Sequence, residues 1–151
     1  MSLIYKFKKE KLEDGTLVSR PRILVALHGS LSIEIPALID SGCDITVIPE
    51  SLARAVGLDF SGEKTRLYAY REATEVILSK ANITFLGKAQ RQSVRLTLPV
   101  LIALSRDNTA EENDITLGIQ GIFDAFDITF LKSQNKIIFK QAQHTNRFLF
   151  F

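Results

Sequence analysis

A single, mostly β domain with one or two short helices is the fold that the sequence predicts, and three observations predict it. Short β-rich or alternating apolar runs recur along most of the chain, and such runs are typical of strands. Turn-forming residues separate these runs at short intervals. The length of 151 residues and the apolar content of 46% suit one domain with one hydrophobic core, and no repeat or linker divides the chain.

The first third of the chain combines strands with tight turns. Alternation from Ile4 to Lys8 predicts an N-terminal strand, and Asp14-Gly15 predicts a turn. Two longer β-rich runs follow, from Arg22 to Leu27 and from Leu31 to Ile39. Ile45 to Ile48 is a further apolar run of strand length. We therefore expect four strands before residue 50.

A short helix and a long hairpin are expected next. Pro49 suits the first turn of a helix over Ser51 to Val56, and Gly57 is placed to end that helix. The runs from Lys64 to Tyr70 and from Thr74 to Leu86 then predict the two arms of a β-hairpin, because only a few polar residues separate them.

The last third of the chain returns to strands with one further helix. The most polar segment of the chain lies there and predicts a surface loop. The expected elements are a strand from Ser93 to Leu104, a loop from Ser105 to Asn113, a strand from Asp114 to Leu117, a helix from Ile119 to Phe126, and strands from Asp127 to Phe130 and from Lys136 to Lys140.

Charge and cysteine content exclude several classes of protein. The net charge of +2 is small and the basic residues of the chain are dispersed, so we expect no nucleic-acid partner. Cys43 is the only cysteine, which forbids an internal disulfide. The N-terminus lacks the apolar core of a signal peptide, and no apolar run approaches the ~20 residues that span a bilayer. We expect a soluble, cytoplasmic protein with no membrane partner.

One ionisable residue stands at the end of an apolar run. Asp40-Ser41-Gly42 separates the run that ends at Ile39 from the run that begins at Ile45. Because Asp, Ser and Gly all form turns, a plain turn explains the triplet. The apolar flanks favour a second interpretation, in which the carboxylate is partly desolvated and its neutral form is favoured. A carboxyl group in such a place suits acid–base chemistry.

The same stretch resembles the active-site segment of the retropepsin-like aspartic proteases. The family pattern is an apolar run, Asp-Thr/Ser-Gly, a small residue, often an Asp, and then Thr or Ser in a second strand. This chain fills those places with Asp40, Ser41, Gly42, Cys43, Asp44 and Thr46. A second family element, two apolar residues and a Gly before a short helix and a strand, resembles Ile115 to Gly118 and the residues after it.

The resemblance covers about residues 20 to 140 and implies a specific fold. It implies a single-lobe retropepsin-like acid protease barrel, all-β with one or two short helices. We expect residues 1–151 to form one such domain, with an apolar C-terminal tail over 141–151 that ends in Arg-Phe-Leu-Phe-Phe.

The resemblance also implies the chemistry. Aspartic proteases hydrolyse peptide bonds with two carboxylates that share one proton, since like charges so close cannot both ionise. The chain has one such motif, and 151 residues are too few for a second lobe. The pair must then come from two copies of Asp40 in a symmetric homodimer. Asp40, Ser41 and Gly42 are the expected catalytic residues, with no metal and no cofactor.

A peptide or protein substrate is the other expected partner, and four residues are candidates to contact it. Gly42 would let the backbone approach the substrate. Asp44 would hold the substrate main chain, pair with an arginine such as Arg20 or Arg22, or serve only as a turn acid. Tyr68 and Tyr70 lie near the tip of the hairpin that occupies the family's flap position. They would cover the substrate or be ordinary cross-strand aromatics.

Two departures from the family pattern leave other functions open. The hairpin tip contains no Gly, and Ile119 stands where retroviral members usually have Arg. The apolar tail is a candidate to replace that arginine in holding the dimer. The alternative function is a noncatalytic dimerisation or peptide-binding module, and a third is a monomeric β-barrel that binds a small ligand. Cys43 is either a small buried hydrophobe or a site of oxidation.

Overall fold

Strands dominate the part of the chain that the structure, a computed structural model, describes, namely residues 1–69, 72–88, 92–105 and 114–143. The strands in chain order are β1 (Ser2–Tyr5), β2 (Lys8–Lys11), β3 (Leu17–Arg20), β4 (Arg22–His28), β5 (Ser32–Ile39), β6 (Thr46–Pro49), β7 (Lys64–Ala69), β8 (Glu72–Leu86), β9 (Ser93–Ala103), β10 (Ile115–Leu117), β11 (Phe126–Leu131) and β12 (Lys136–Gln141). Two short helices, α1 (Glu50–Val56) and α2 (Ile122–Ala125), accompany them. The prediction of an all-β fold with one or two short helices is therefore confirmed.

Seven strands form the main sheet in the order β4-β5-β10-β6-β9-β8-β7, and β4 also pairs with β8. The insertion of β10 between β5 and β6 decides where the candidate site lies. β10 runs parallel to β5, with Leu117 opposite Ile39, and antiparallel to β6. A strand from late in the chain therefore stands between the two strands that flank Asp40.

Two smaller sheets complete the fold. β1, β12 and β11 form an antiparallel sheet, and β2 and β3 form a separate hairpin. Gly15 has a φ of +87° in the turn of that hairpin, a backbone conformation that residues with a side chain rarely adopt. The predicted turn at Asp14-Gly15 is confirmed.

The hydrophobic core is built from side chains of the main sheet, the three-stranded sheet and α1. Phe85 of β8, Phe126 of β11 and Phe139 of β12 are almost fully buried, and their ring centroids lie 5.2–5.8 Å apart. Tyr5 packs edge-on against Phe139 at 5.2 Å. Aromatic pairs at such distances add to the stabilisation that burial of their area provides.

The first helix and the long hairpin agree with the sequence predictions. α1 begins directly after Pro49 and ends at Gly57, whose left-handed φ of +78° is typical of a helix C-terminus. β7 and β8 pair antiparallel from Lys64 opposite Ile77 to Ala69 opposite Glu72. The tip residues 70–71 lie outside the described residues, as do segments 89–91, 106–113 and 144–151.

Two predicted elements were wrong in their extent. The expected strand from Ile4 to Lys8 is divided, because the chain leaves the three-stranded sheet after Tyr5 and enters the β2–β3 hairpin at Lys8. The expected helix from Ile119 to Phe126 is reduced to α2. The residues before α2 form a turn, and Gly121 has a φ of +83°, which an α-helix does not contain.

None of the helices in the described ranges has the length and apolar character that crossing a bilayer requires.

Candidate active site

Asp40 follows the last residue of β5 and is held from both sides. The Ile39 amide donates to the Pro21 carbonyl, just before β4, at 3.0 Å. The Asp40 amide donates to the Leu117 carbonyl at the end of β10, also at 3.0 Å. One backbone hydrogen bond to each neighbouring strand therefore sets the position of the Asp40 backbone.

The loop after Asp40 is closed by the aspartate itself. The Gly42 amide donates to Asp40 Oδ1 at 2.9 Å, and the Cys43 amide donates to the Asp40 carbonyl at 3.2 Å. A Cβ atom at Gly42 would lie 3.1 Å from Asp40 Oδ1, so a larger residue there would press on the carboxylate. The sequence places a glycine where the carboxylate needs both an amide donor and space.

The carboxylate is exposed in the single chain, and so are Ser41 and Gly42. The expectation that the apolar flanks desolvate Asp40 is wrong for the isolated chain. The flanking residues Ile39 and Ile48 are buried, but the loop between them carries Asp40 to the surface. No residue of the described ranges covers this carboxylate.

A second loop, residues 118–121, packs directly against the Asp40 loop. The Ile119 amide donates to the Cys43 carbonyl, and the Gln120 amide donates to the Asp44 carbonyl, both at 2.8 Å. A Cβ atom at Gly118 would lie 2.6 Å from the Ile45 carbonyl carbon, so only glycine permits this approach. The two segments that carry the family resemblance are therefore in contact.

Thr46 joins the two loops, and the sequence analysis gave it no role in the site. Its side chain is fully buried, and its Oγ1 accepts a hydrogen bond from the Gly118 amide at 3.1 Å. The available signal was a single hydroxyl within an otherwise apolar strand. A buried hydroxyl requires a partner, but the sequence does not identify that partner.

Cys43 fits the description of a small buried residue better than that of a reactive thiol. The side chain is half-buried, and its Sγ donates to the Ile45 carbonyl at 3.0 Å. Burial raises the pKa of the Cys43 thiol, and the nearby carboxylates of Asp40 and Asp44 raise it further. Since the thiolate is the reactive form, these conditions favour the unreactive state.

Asp44 is exposed, and the arginines considered for it have other partners in this chain. Arg22 pairs with Glu10 and with Asp114, and Arg20 pairs with Glu10. The expected pairing of Asp44 with Arg20 or Arg22 is therefore not found within one chain. The alternatives for Asp44 are a contact with substrate or a turn residue with no other role.

Tyr68 is 75% exposed on β7, opposite Ala73. An exposed ring at this position suits either interpretation, a side chain that covers substrate or an ordinary cross-strand aromatic. Tyr70 lies outside the described residues. An open groove of about 220 Å³ beside this hairpin is lined by Arg66, Glu75, Leu104 and Ser105, none of which belongs to the Asp40 loop.

Within the described ranges, no three His, Cys, Asp or Glu side chains come together in an arrangement that could hold a metal ion.

Similarity to solved structures identifies the fold. The structure is similar to that of a retropepsin-like aspartic protease from Rickettsia conorii, with a TM-score of 0.54 over 95% of this chain and 94% of that one, at 13% identity. The fold of this chain is retropepsin-like. The retroviral protease-like domain of Ddi1 from Leishmania major also matches this retropepsin-like fold, with a TM-score of 0.50 over 85% of this chain and 98% of that one, at 11% identity.

A third structure, EIAV protease in complex with an inhibitor, matches with a TM-score of 0.41 over 70% of this chain and 86% of that one, at 18% identity. No protein-family model matches the sequence, and no curated protein matches it. The similarity is therefore one of fold, at sequence identities too low to carry activity with them.

Proposed function

We propose that the protein is a homodimeric aspartic endopeptidase in which one Asp40 from each chain forms the catalytic pair. The observation that carries this proposal is the Asp-Ser-Gly loop of a retropepsin-like fold, closed on its own carboxylate and exposed at the end of β5. The hydrogen bonds of this loop hold the carboxylate at the protein surface, where a second molecule can contact it. In the proposed dimer, that molecule is a second copy of the chain, which makes contact through the same loop.

The reaction needs only the two carboxyl groups and a water molecule. The ionised Asp40 takes a proton from the water as its oxygen attacks the peptide carbonyl carbon. The protonated Asp40 donates its proton to the carbonyl oxygen, which gives a neutral tetrahedral intermediate. That intermediate collapses when a proton passes to the amide nitrogen and the C–N bond breaks, which leaves a carboxylic acid, an amine and one proton on the pair.

The neighbouring residues take supporting roles in this proposal. The Ser41 hydroxyl would hydrogen-bond across the dimer axis, and Gly42 would leave its carbonyl open to the substrate backbone. Asp44 would hold the substrate main chain, while Tyr68 and Tyr70 of the hairpin would cover an extended peptide. The proposed location is the cytoplasm, and the proposal requires no cofactor, nucleic acid or membrane.

Activity is expected to be highest in mildly acidic solution. The pair must carry one proton, because one carboxylate takes a proton from water while the other carboxyl group donates one. Both the fully protonated and the fully ionised pair are inactive, which gives a bell-shaped dependence of kcat/KM on pH.

The deciding experiment replaces Asp40 by Asn and measures cleavage of a peptide library by purified protein. We expect Asp40→Asn to abolish cleavage, because the amide neither takes nor gives the required proton. Asp14→Asn is a matched control, since Asp14 also lies in a turn that contains a glycine, and its Oδ1 accepts the backbone amide two residues later, from Thr16 at 2.9 Å. The control variant should cleave like the wild type.

Cleavage that survives in Asp40→Asn, after contaminating proteases are excluded, would overturn the proposal. Absence of cleavage by a wild-type dimer across acidic and neutral pH would also overturn it. That second result would favour the noncatalytic dimerisation or peptide-binding module instead. Binding of unhydrolysed extended peptides, measured by calorimetry, would then be the expected property.

A further inference from the structure

Arg22 is the centre of an ion-pair network outside the Asp40 loop. Its guanidinium pairs with Glu10 of the β2–β3 hairpin and with Asp114, and Arg20 adds a contact to Glu10 at 3.2 Å. The Arg22 side chain is only 14% exposed, whereas Arg54 in its pair with Glu50 is 62% exposed. The Glu10 side chain is 23% exposed and that of Asp114 is 43% exposed. The guanidinium end of the network is therefore shielded from water, and its ion pairs are less screened than pairs between two exposed side chains.

The network connects both strands that border β5. Arg22 belongs to β4 and stands opposite Leu38 of β5. Asp114 immediately precedes β10, which pairs with the other edge of β5. The guanidinium therefore joins β4 to the start of β10, with β5 between them.

These are the two strands that hold the peptide groups around Asp40. The acceptor of the Ile39 amide is the carbonyl of Pro21, the residue next to Arg22. The acceptor of the Asp40 amide is the carbonyl of Leu117, at the end of the strand that Asp114 precedes. A change in the separation of β4 and β10 would alter both hydrogen bonds together.

We infer that Arg22 is a positioning residue for Asp40, because its ion pairs tie together the two strands whose carbonyls hold Ile39 and Asp40. The planar guanidinium suits this task, since it makes two directed contacts at once and its geometry is rigid. Glu10 extends the connection to the β2–β3 hairpin, which otherwise forms a separate two-stranded sheet. Such a sheet needs anchoring to be stable.

The first test measures amide hydrogen exchange by NMR, which does not depend on catalysis. Arg22→Met keeps the length of the side chain and removes the guanidinium. We expect the amides of Ile39 and Asp40 to exchange about tenfold faster, because charge-assisted contacts restrain local opening. Protected amides of β8 and β9 should keep their wild-type rates.

Matched variants separate positioning from general stability. Arg54→Met removes the exposed pair with Glu50, and it should leave the Ile39 and Asp40 amides unchanged. Arg22→Lys keeps the charge without the planar group and should give an intermediate increase. If Arg22→Met does not fold, Asp114→Asn removes one charged partner and should raise exchange at the same two amides. Unchanged exchange at these amides, or an equal increase throughout the sheet, would overturn the inference.

A second readout rests on the proposed function. If the wild type cleaves peptides, Arg22→Met should lower kcat while KM stays near its wild-type value, since Arg22 would act through the placement of Asp40. Because a general loss of folded protein would also lower the apparent kcat without changing KM, kcat is expressed per folded chain. A merely structural effect would leave that value at the wild-type level. If the wild type cleaves nothing, the proposed function fails, and the exchange experiment still decides the role of Arg22.

Discussion

At the scale of single residues, the candidate site depends on polar groups whose partners lie far away in the sequence. Gly118 is buried against the backbone of Ile45, and its amide donates to the Thr46 hydroxyl. An amide in such a place has no access to water, so the free-energy cost of burying it is offset only by its hydrogen bond to that one acceptor. Thr46 therefore contributes to the contact between the two loops and not only to its own strand.

Replacing Thr46 by Val tests this contact. Valine has a similar shape but no acceptor, so the buried Gly118 amide loses its partner. We expect the free energy of unfolding to fall by about 1–3 kcal/mol, measured by urea denaturation. Thr65→Val on the exposed face of β7 is the control, and its effect should stay within about 0.5 kcal/mol. Equal effects of the two substitutions would contradict the role given to Thr46.

Residue-level prediction from the sequence was most successful where the interaction is local. The Asp40 loop is closed by hydrogen bonds between residues two and three positions apart, and the turn-forming triplet indicated a tight turn there. Gly118, the partner of Thr46, lies 72 positions away, and Asp114, one of the partners of Arg22, lies 92 positions away. Such partners depend on the order of strands in the sheet, which residue types alone do not specify.

At the scale of secondary-structure elements, a histidine joins three strands. His28 of β4 hydrogen-bonds through Nδ1 to Ser32 Oγ of β5 at 2.8 Å, and through Nε2 to Thr84 Oγ1 of β8 at 2.7 Å. Burial lowers the pKa of the His28 imidazole, and the Arg95 guanidinium lowers it further. The folded protein therefore favours neutral His28 more than the unfolded chain does.

This preference predicts how stability depends on pH. Between the lowered folded pKa and the unfolded pKa of about 6.5, the unfolded chain binds more protons. The free energy of unfolding should therefore decrease as pH falls through that interval. Below the folded pKa, His28 should cause no further change with pH. Urea denaturation from about pH 7.5 to about pH 5 should show a smaller decrease for His28→Gln, which cannot titrate there. Parallel curves for the two proteins would exclude a contribution from His28.

Element boundaries followed from the sequence except where tertiary contacts took over. The first helix was predicted nearly correctly, because Pro49 and Gly57 are local start and stop signals. The second was predicted too long, since the amides of Ile119 and Gln120 bond to the Asp40 loop instead. The division between β1 and β2 was also missed, because alternation alone cannot show that a strand changes sheets after Tyr5.

At the scale of the whole molecule, the proposed site requires two chains, because each chain supplies one exposed Asp40. Mixing experiments test this requirement directly. Wild-type and Asp40→Asn chains are mixed in equal amounts and allowed to exchange. The mixture should show about a quarter of the activity of wild-type chains alone at the same total chain concentration. Only pairs of two wild-type chains carry both carboxyl groups. Retention of half the activity would mean that each chain acts alone.

The overall fold class was predictable, and the assembly was not. Short β-rich runs and the Asp-Ser-Gly pattern sufficed for a retropepsin-like, all-β fold. The sequence does not specify which surfaces of two copies meet, since that choice depends on shape and on residues brought together only by folding. Ile119 illustrates this limit. The local sequence pattern placed it in a helix, whereas it lies beside the Asp40 loop with its apolar side chain 38% exposed.

The insertion of β10 between β5 and β6 has a consequence for biosynthesis. The ribosome releases the Asp-Ser-Gly segment early, yet the carbonyl that receives the Asp40 amide belongs to residue 117. A nascent chain that has not reached this residue lacks one of the interior strands of its main sheet, and pairing across such a long stretch is slow to form. In the proposed enzyme, the catalytic loop would therefore be complete only after residue 117 has been synthesised and has joined the sheet.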